Sequence, residues 1–183
     1  MAKGFADRVV VDFKSMPLSD TPLLPYAHAN EGRYNEAAAE ALQGAFCMDR
    51  KMIYHGGGRS SIEFCDILTA DKQLIHVKHY SGSAQLSHLF SQGIVSGELF
   101  VQDADFRQKV NDKLPASLKL SQPEMRPEPR DYRVVFAVIS KSNSSLDIPF
   151  FSKVNLRNAR RRLEGYGYRV SLKKIEMTAV SEV

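Results

Sequence analysis

The stretch that decides the fold is SSIEFCDILTADKQLIHVKHYSGS, residues 60–83. It contains two runs of apolar and β-branched residues, 62–68 and 73–80, which are typical of strands. The four residues between the runs, 69–72, have a suitable length for the turn of a hairpin. The stretch therefore predicts two paired strands near the middle of the chain.

Charged side chains stand near the ends of these two strands. Asp66 lies in the first run, and the second run ends in His76-Val77-Lys78. Because alternate side chains of a strand share a face, His76 and Lys78 should point the same way, and pairing about the turn should bring Asp66 close to them. A carboxylate can hold a divalent cation, and an ammonium can position a water or stabilise charge that develops on a phosphate.

The flanking segments predict further helices and strands. Val9 to Phe13 resembles a short strand, and the proline-rich passage after it indicates an extended loop. The predicted helices are 34–46, 81–100, 105–114 and one that begins at Asn155 and ends near Gly165; the predicted strands are 132–140 and 168–177. This order predicts an α/β fold with a mixed central sheet flanked by helices.

The domain organisation follows from the same pattern. Residues 1–31 are expected to form an extended arm, and residues 32–183 a single α/β domain. Within that domain, residues 32–100 form the predicted core. Residues 130–183 form a predicted basic C-terminal extension, with eleven Lys and Arg against five Asp and Glu. Such a basic segment favours a polyanionic partner, and the alternative is a solvated basic helix face.

The composition is that of a globular domain outside the membrane. Of the 183 residues 43% are hydrophobic and 25% are charged, and no apolar run approaches the ~20 residues that a bilayer requires. The first residues lack the pattern of a signal peptide, and the two cysteines are too few for a disulfide framework. A cytoplasmic location is therefore expected.

Two enzyme classes are excluded by their missing motifs. His55-Gly56-Gly57-Gly58 is similar to an oxyanion loop, but the chain has no G-x-S-x-G nucleophile elbow for acyl transfer. The glycines are also not followed by the Gly-Lys-Ser/Thr of a phosphate-binding P-loop.

Asp66, a nine-residue gap and His76-Val77-Lys78 together resemble the motif of the PD-(D/E)XK nuclease superfamily. The resemblance implies a restriction-endonuclease-like α-β-β-β-α core over roughly residues 32–100 and hydrolysis of a phosphodiester by a metal-activated water. It implies that Asp66 and Glu36, on the preceding helix, are metal ligands for Mg²⁺ or Mn²⁺. Lys78 would orient the water or stabilise the transition state.

His76 departs from the superfamily pattern, which has an acid at this position. Three interpretations remain open: His76 is a variant ligand or base, Glu63 replaces the acid from the neighbouring strand, or catalysis has been lost. Histidine ligates Mn²⁺ more readily than Mg²⁺. The helix after the lysine often carries a glutamine in these nucleases, and Gln85 or Gln92 is available for that place.

Several polar residues are candidates for contacts with DNA or RNA, the partner that the resemblance implies. Arginines on one helix can follow a phosphate backbone, and side chains near the motif can bind phosphate. The candidates are Arg157, Arg160, Arg161, Lys153, His79 and Gln92.

A second resemblance covers more of the chain. Segments 62–68, 74–100 and 148–170 look like the C-terminal part of a prokaryotic family described as sporadically distributed and of unknown function. Members of that family are longer, so this chain would be a truncated relative or a domain. A patchy distribution is typical of defence genes, which suggests a role against foreign DNA.

The sequence therefore supports three hypotheses. The first is a metal-dependent endonuclease, and the second is a catalytically inactive module of the same fold that binds nucleic acid or a protein. The third is a pure protein-interaction domain. The oligomeric state is left open, with a homodimer among the alternatives.

Overall fold

A computed structural model describes residues 3–57 and 61–178 of the chain. The helices are α1 (Lys3–Lys14), α2 (Glu31–Ala41), α3 (Ser83–Gln102), α4 (Ala104–Lys113) and α5 (Phe150–Tyr166). The strands are β1 (Phe46–Cys47), β2 (Ile53–Tyr54), β3 (Ser61–Ile62), β4 (Ile67–Leu68), β5 (Gln73–His79), β6 (Arg133–Ser140) and β7 (Arg169–Glu176). Within the described part of the chain, no helix is both long and apolar enough to cross a membrane.

Five strands form one mixed sheet in the order β1-β4-β5-β6-β7. The strand β4 is antiparallel to both of its neighbours, whereas β6 is parallel to both β5 and β7. Strands β2 and β3 form a separate two-stranded sheet. The predicted α/β class with a mixed sheet flanked by helices is therefore confirmed.

The predicted hairpin is present as β4 and β5. Ile67 pairs with Ile75 and Leu68 with Leu74, and the connecting turn contains Lys72 in the left-handed region with φ 62°. The predicted first strand, 62–68, is wrong in part because residues 63–66 leave the strand pairing and separate β3 from β4. Asp66 therefore lies just before β4 rather than inside a continuous strand.

The sheet separates two apolar layers because successive side chains of a strand point to opposite faces. Leu74 packs with Phe136 and with the buried faces of α3 and α5 on one side. Ile75 and Val77 pack on the other side with Tyr34 of α2. The five residues Gln73 to Val77 are all buried, so β5 is enclosed on both faces up to its last two residues.

The N-terminal segment corrects one prediction. Val9 to Phe13 belong to α1, not to a strand, because helical spacing places buried Val9 and partly buried Phe13 on one side, while Val11 is exposed. The extended arm therefore starts only after Lys14. It runs beside β7: the Leu172 amide donates to the Pro17 carbonyl, and the Tyr26 amide donates to the Glu176 carbonyl.

The C-terminal segment corrects two further predictions. Helix α5 begins at Phe150, so Asn155 is not its cap, and it ends before Gly167, whose φ of 107° suits glycine, rather than at Gly165. The strand β6 lies inside the sheet between β5 and β7. The described part of the predicted basic extension therefore belongs to the central core, and residues 179–183 lie outside the described residues.

Two helical glycines offer a matched test of the packing. A Cβ atom added at Gly93 of α3 would lie 2.5 Å from Phe136 Cε1, whereas one added at Gly165 of α5 meets nothing within 4 Å. Gly93→Ala is expected to lower the free energy of unfolding by about 1–3 kcal/mol because the buried ring must move. Gly165→Ala is expected to raise it by about 0.5–1 kcal/mol.

Urea unfolding of the two variants and the wild type measures these differences. Equal stability of Gly93→Ala and wild type would contradict the close approach of α3 to the sheet.

Candidate functional site

Backbone and side-chain hydrogen bonds connect Asp66 to β5. Its amide donates to the Ile75 carbonyl at 2.9 Å, and its carbonyl accepts the Met48 amide at 2.7 Å. Its carboxyl Oδ2 accepts the Val77 amide at 2.6 Å. The carboxyl therefore lies beside the backbone that connects His76 to Lys78, near the carboxyl end of β5.

The surroundings of Asp66 disfavour its charge. Burial, together with the neighbouring carboxylates of Asp49, Glu63 and Glu31, raises the pKa of this carboxyl to about 8. The hydrogen bond from the Val77 amide acts in the opposite direction and is the weaker influence. Without a compensating cation, Asp66 is therefore mainly protonated at neutral pH.

The ammonium of Lys78 lies at the same end of β5. Its Nζ donates to Glu31 Oε2 at 2.9 Å, and Glu31 Oε1 also accepts the His79 amide at 3.2 Å. Glu31 is the first residue of α2, directly after the cap Asn30, whose side chain accepts the Arg33 amide. The start of α2 thus brings a carboxylate to the strand end, where it is close enough to Asp66 to raise the pKa of that group.

The structure does not place Glu36, the predicted ligand on this helix, beside Asp66 and Lys78. Glu36 has a half-exposed side chain and pairs with Arg33 at 3.7 Å and with Arg50 at 3.8 Å. Because a helix turns by about 100° per residue, Glu36 points roughly 140° away from Glu31. The helix therefore presents Glu31 to the strand ends and Glu36 to solvent.

The prediction that His76 is a metal ligand or base also needs correction. The residue is 2% exposed, and its ring lies 6.1 Å from the ring of Phe136, in the apolar layer beneath α3. Its Nε2 has no hydrogen-bond partner, and burial lowers the pKa of the imidazole to about 4. His76 is therefore a neutral core residue, whereas the longer Lys78, at the strand end, reaches Glu31.

The three predicted ligands Glu36, Asp66 and His76 do not come together. Among residues 3–57 and 61–178, the group of three His, Cys, Asp or Glu whose donor atoms all lie within 4.8 Å of one another is formed by His55, Asp103 and Asp105. Both carboxylates contact the His55 ring, at 3.0 and 3.4 Å. The Lys109 ammonium lies 2.6 Å from Asp105, so a cation of the protein already occupies this group.

The acids around Asp66 nevertheless have the chemistry of a site for a hard cation. Glu31, Asp49 and Asp66 supply carboxylate oxygens, which are the ligands that Mg²⁺ and Mn²⁺ prefer. Their mutual repulsion raises the pKa of Asp66, and a divalent cation would relieve that repulsion. The chemistry of these donors suits such an ion, but the three carboxylates do not all lie within 4.8 Å of one another, so their side chains would have to turn towards one another to share it.

Glu63, whose charge contributes to the raised pKa of Asp66, is hydrogen-bonded to Gln92 of α3. The Gln92 amide Nε2 donates to Glu63 Oε2 at 3.1 Å, and Glu63 Oε1 accepts the Arg50 amide at 3.0 Å. Both side chains line a cavity of about 370 Å³ together with His88 and Ser91. The glutamine of the helix after the lysine is thus connected to the acid cluster through Glu63.

An aromatic group that sequence reasoning missed borders the site on the side of the arm. Tyr26 lies 6.0 Å from the ring of His79 and 5.5 Å from that of Tyr34, and His28 lies 5.6 Å from Tyr34. Burial and the Glu31 carboxylate raise the pKa of the Tyr26 hydroxyl. Only the pairing of the arm with β7 brings Tyr26 here, and no local sequence signal predicts that pairing.

The predicted basic surface of α5 is largely neutralised by ion pairs. Arg157 and Arg161 both contact the carboxylate of Asp12 on α1, while Arg160 pairs with Glu164 at 2.7 Å. Lys153 pairs with Asp147 at 2.7 Å. Each of these four cations therefore has a carboxylate partner within the domain, which reduces the positive charge available to a phosphate backbone.

Comparison with known proteins places the chain in a family but assigns no activity to it. No curated protein and no solved structure matches the chain. One family model, described as a family of unknown function, matches residues 1–176. The chain therefore belongs to the DUF6119 family.

Proposed function

We propose that this domain is a metal-dependent hydrolase of nucleic-acid phosphodiesters, with its site at the carboxyl end of β5. The observation that carries the proposal is the position of Asp66, partly buried among Glu31, Asp49 and Glu63 with its pKa raised to about 8. Perturbed carboxyl groups of this kind are concentrated at functional sites. The Lys78 ammonium, 2.9 Å from Glu31, places a cation next to these acids.

The residues have separate roles in this proposal. Asp66, Glu31 and Asp49 would hold Mg²⁺ or Mn²⁺, which when bound lowers the pKa of a water and neutralises phosphate charge. Lys78 has three N–H donors, one of which is engaged by Glu31, so the others can donate to a phosphate oxygen or hold the attacking water. The Val77 amide keeps the Asp66 carboxyl in position.

The substrate that we propose is DNA or RNA. A polyanion suits a site in which a metal and Lys78 supply positive charge, and the partly exposed ring of His79 beside it suits the face of a base. The paired cations of α5 are not required for this contact. The sequence resemblance to PD-(D/E)XK nucleases supports the same substrate class.

A second candidate function is a binding module that lacks catalysis. It is favoured by His76, which stands where the superfamily pattern has an acid and is enclosed in the core as a neutral ring. In this alternative the acids around Asp66 hold an ion or a cationic partner group without turnover.

Substitutions of two proposed metal ligands, with a matched control on α2, test the proposed hydrolysis. Glu31→Gln and Asp66→Asn are expected to reduce cleavage of single- and double-stranded DNA or RNA by about 100-fold, because each removes charge at the proposed site. Glu36→Gln, an equivalent change on the exposed side of the same helix, is expected to leave cleavage unchanged. The measurement is cleavage of labelled substrates with Mg²⁺ or Mn²⁺.

Failure of the wild type to cut any of these substrates with either metal would reject the hydrolase. Cleavage that Glu31→Gln and Asp66→Asn both leave intact would reject this site. Salt-dependent binding of nucleic acid without turnover would favour the second candidate function.

The raised pKa of Asp66 also predicts how stability depends on pH. The folded protein retains a proton that the unfolded chain releases between the ordinary aspartate pKa of 3.8 and about 8, so this group makes the fold less stable as pH rises through that window. Asp66→Asn carries no such charge and keeps an acceptor for the Val77 amide. It should therefore gain stability relative to the wild type as pH rises from 5 to 8.

Thermal unfolding of the two proteins at both pH values measures the effect. We expect the advantage of Asp66→Asn to grow by about 3–4 kcal/mol, since each pH unit of the window contributes about 1.4 kcal/mol, and this corresponds to about 7–14 °C for a domain of this size. A difference that stays constant across this pH range would show that Asp66 has an ordinary pKa.

A further inference from the structure

A second concave site lies between α1 and the edge strand β7. We name it the α1–β7 groove. It has a volume of about 740 Å³, which is within the range of small-molecule sites, ≈ 300–1,000 Å³. Its walls come from α1, the beginning of the arm, the loop before α5 and the middle of β7. None of the acids around Asp66 lines it.

The floor and one rim of the groove are apolar. Phe13 and Met16 of the α1 end, Leu146 of the loop and Leu172 of β7 contribute to the lining and pack on the main core. Leu18 stands at the rim with 76% of its surface exposed. An exposed apolar side chain beside a concave apolar surface is typical of a ligand site.

The other walls carry an excess of positive charge. Lys14, Lys153, Lys173 and Lys174 line the groove, and Asp147 is the one carboxylate among its described lining residues. The side chains of Lys153 and Lys174 are only 15% and 14% exposed. Holding two ammonium groups in such shielded positions is costly unless anions satisfy them.

The existing partners of these lysines satisfy them only in part. Lys153 contacts Asp147 at 2.7 Å and lies over the Phe13 ring at 5.0 Å. Lys174 donates to the Ser144 carbonyl and to Glu176, both at 2.7 Å, and Lys173 donates to the Ser19 carbonyl at 3.4 Å. The carboxylates of Asp147 and Glu176 offset two of the four lysine charges, so Lys14 and Lys173 leave the groove with a net positive charge, which is complementary to an anion.

We propose that the α1–β7 groove binds a small amphiphilic anion, with an aliphatic or aromatic body on the apolar floor and a carboxylate or phosphate head at the lysines. The proposal is independent of phosphodiester hydrolysis, because the groove and the Asp66 site share no residue. Three hydroxyl side chains of the lining, Ser19, Ser144 and Ser145, add further donors for the head.

Displacement of a fluorescent anion from the full chain tests this proposal. The probe is 8-anilinonaphthalene-1-sulfonate, which has an aromatic body and a fixed negative charge. Decanoate and decyl phosphate compete separately, because they carry the two alternative heads, and decanol serves as the uncharged control. We expect at least one decyl anion to displace the probe about tenfold more strongly than decanol, because its head makes charge-assisted hydrogen bonds.

Paired variants locate the binding to the groove. Leu18→Glu adds a negative charge at the exposed rim, and Val11→Glu adds the same charge at an exposed position of α1 outside the lining. We expect Leu18→Glu and the double variant Lys173→Gln/Lys174→Gln to weaken binding of the decyl anion about tenfold. Val11→Glu should bind as the wild type does, with thermal unfolding confirming that every variant is folded.

Three results would overturn the proposal. The first is equal displacement by decanol and by both decyl anions, and the second is no binding of the probe to the wild type. The third is equal weakening by Leu18→Glu and Val11→Glu.

Discussion

The pairing of β5 on both edges is the constraint on which the candidate site depends. Its residues Gln73 to His79 pair in parallel with Arg133 to Ile139 of β6, while β4 pairs with its other edge in the antiparallel direction. Helices cover both faces, so the strand becomes accessible only at its carboxyl end. Charged groups attached there, among them Asp66, Glu31 and Lys78, must therefore share a small volume.

Placing several carboxyl groups together at a strand end costs free energy of folding, which ordinary structural packing would avoid. A carboxyl group surrounded by three others loses hydration and gains repulsion, and both raise its pKa. Lys78 is engaged by Glu31 and Arg50 lies 3.6 Å from Asp49, so each of these cations contacts an acid other than Asp66. Retention of the Asp66 carboxyl among other acids at the end of a well-packed strand is physically reasonable if a further cation completes the site, and this is the basis of the proposed hydrolase.

The local sequence pattern predicted the fold class and the hairpin because apolar periodicity depends on neighbours along the chain. It failed where contacts between residues that are distant in the sequence determine the local structure or the ion pairs. The valines of α1 favour a strand in isolation, but α1 packs on α5. The charges of Arg157 and Arg161 are taken up by Asp12, far away in the sequence. The position of Glu31 at the strand end depends on where α2 starts and how it is rotated against the sheet, and the local sequence pattern does not determine either.

The most direct test of this account is the pKa of the Asp66 carboxyl itself. It can be followed by carbon-13 NMR of the side-chain carboxyl carbons, with Asp66→Asn to assign the signal and with Mg²⁺ added in a second titration. The account predicts a pKa near 8 without the metal and a clear decrease when Mg²⁺ is present. An ordinary aspartate pKa that Mg²⁺ leaves unchanged would contradict it.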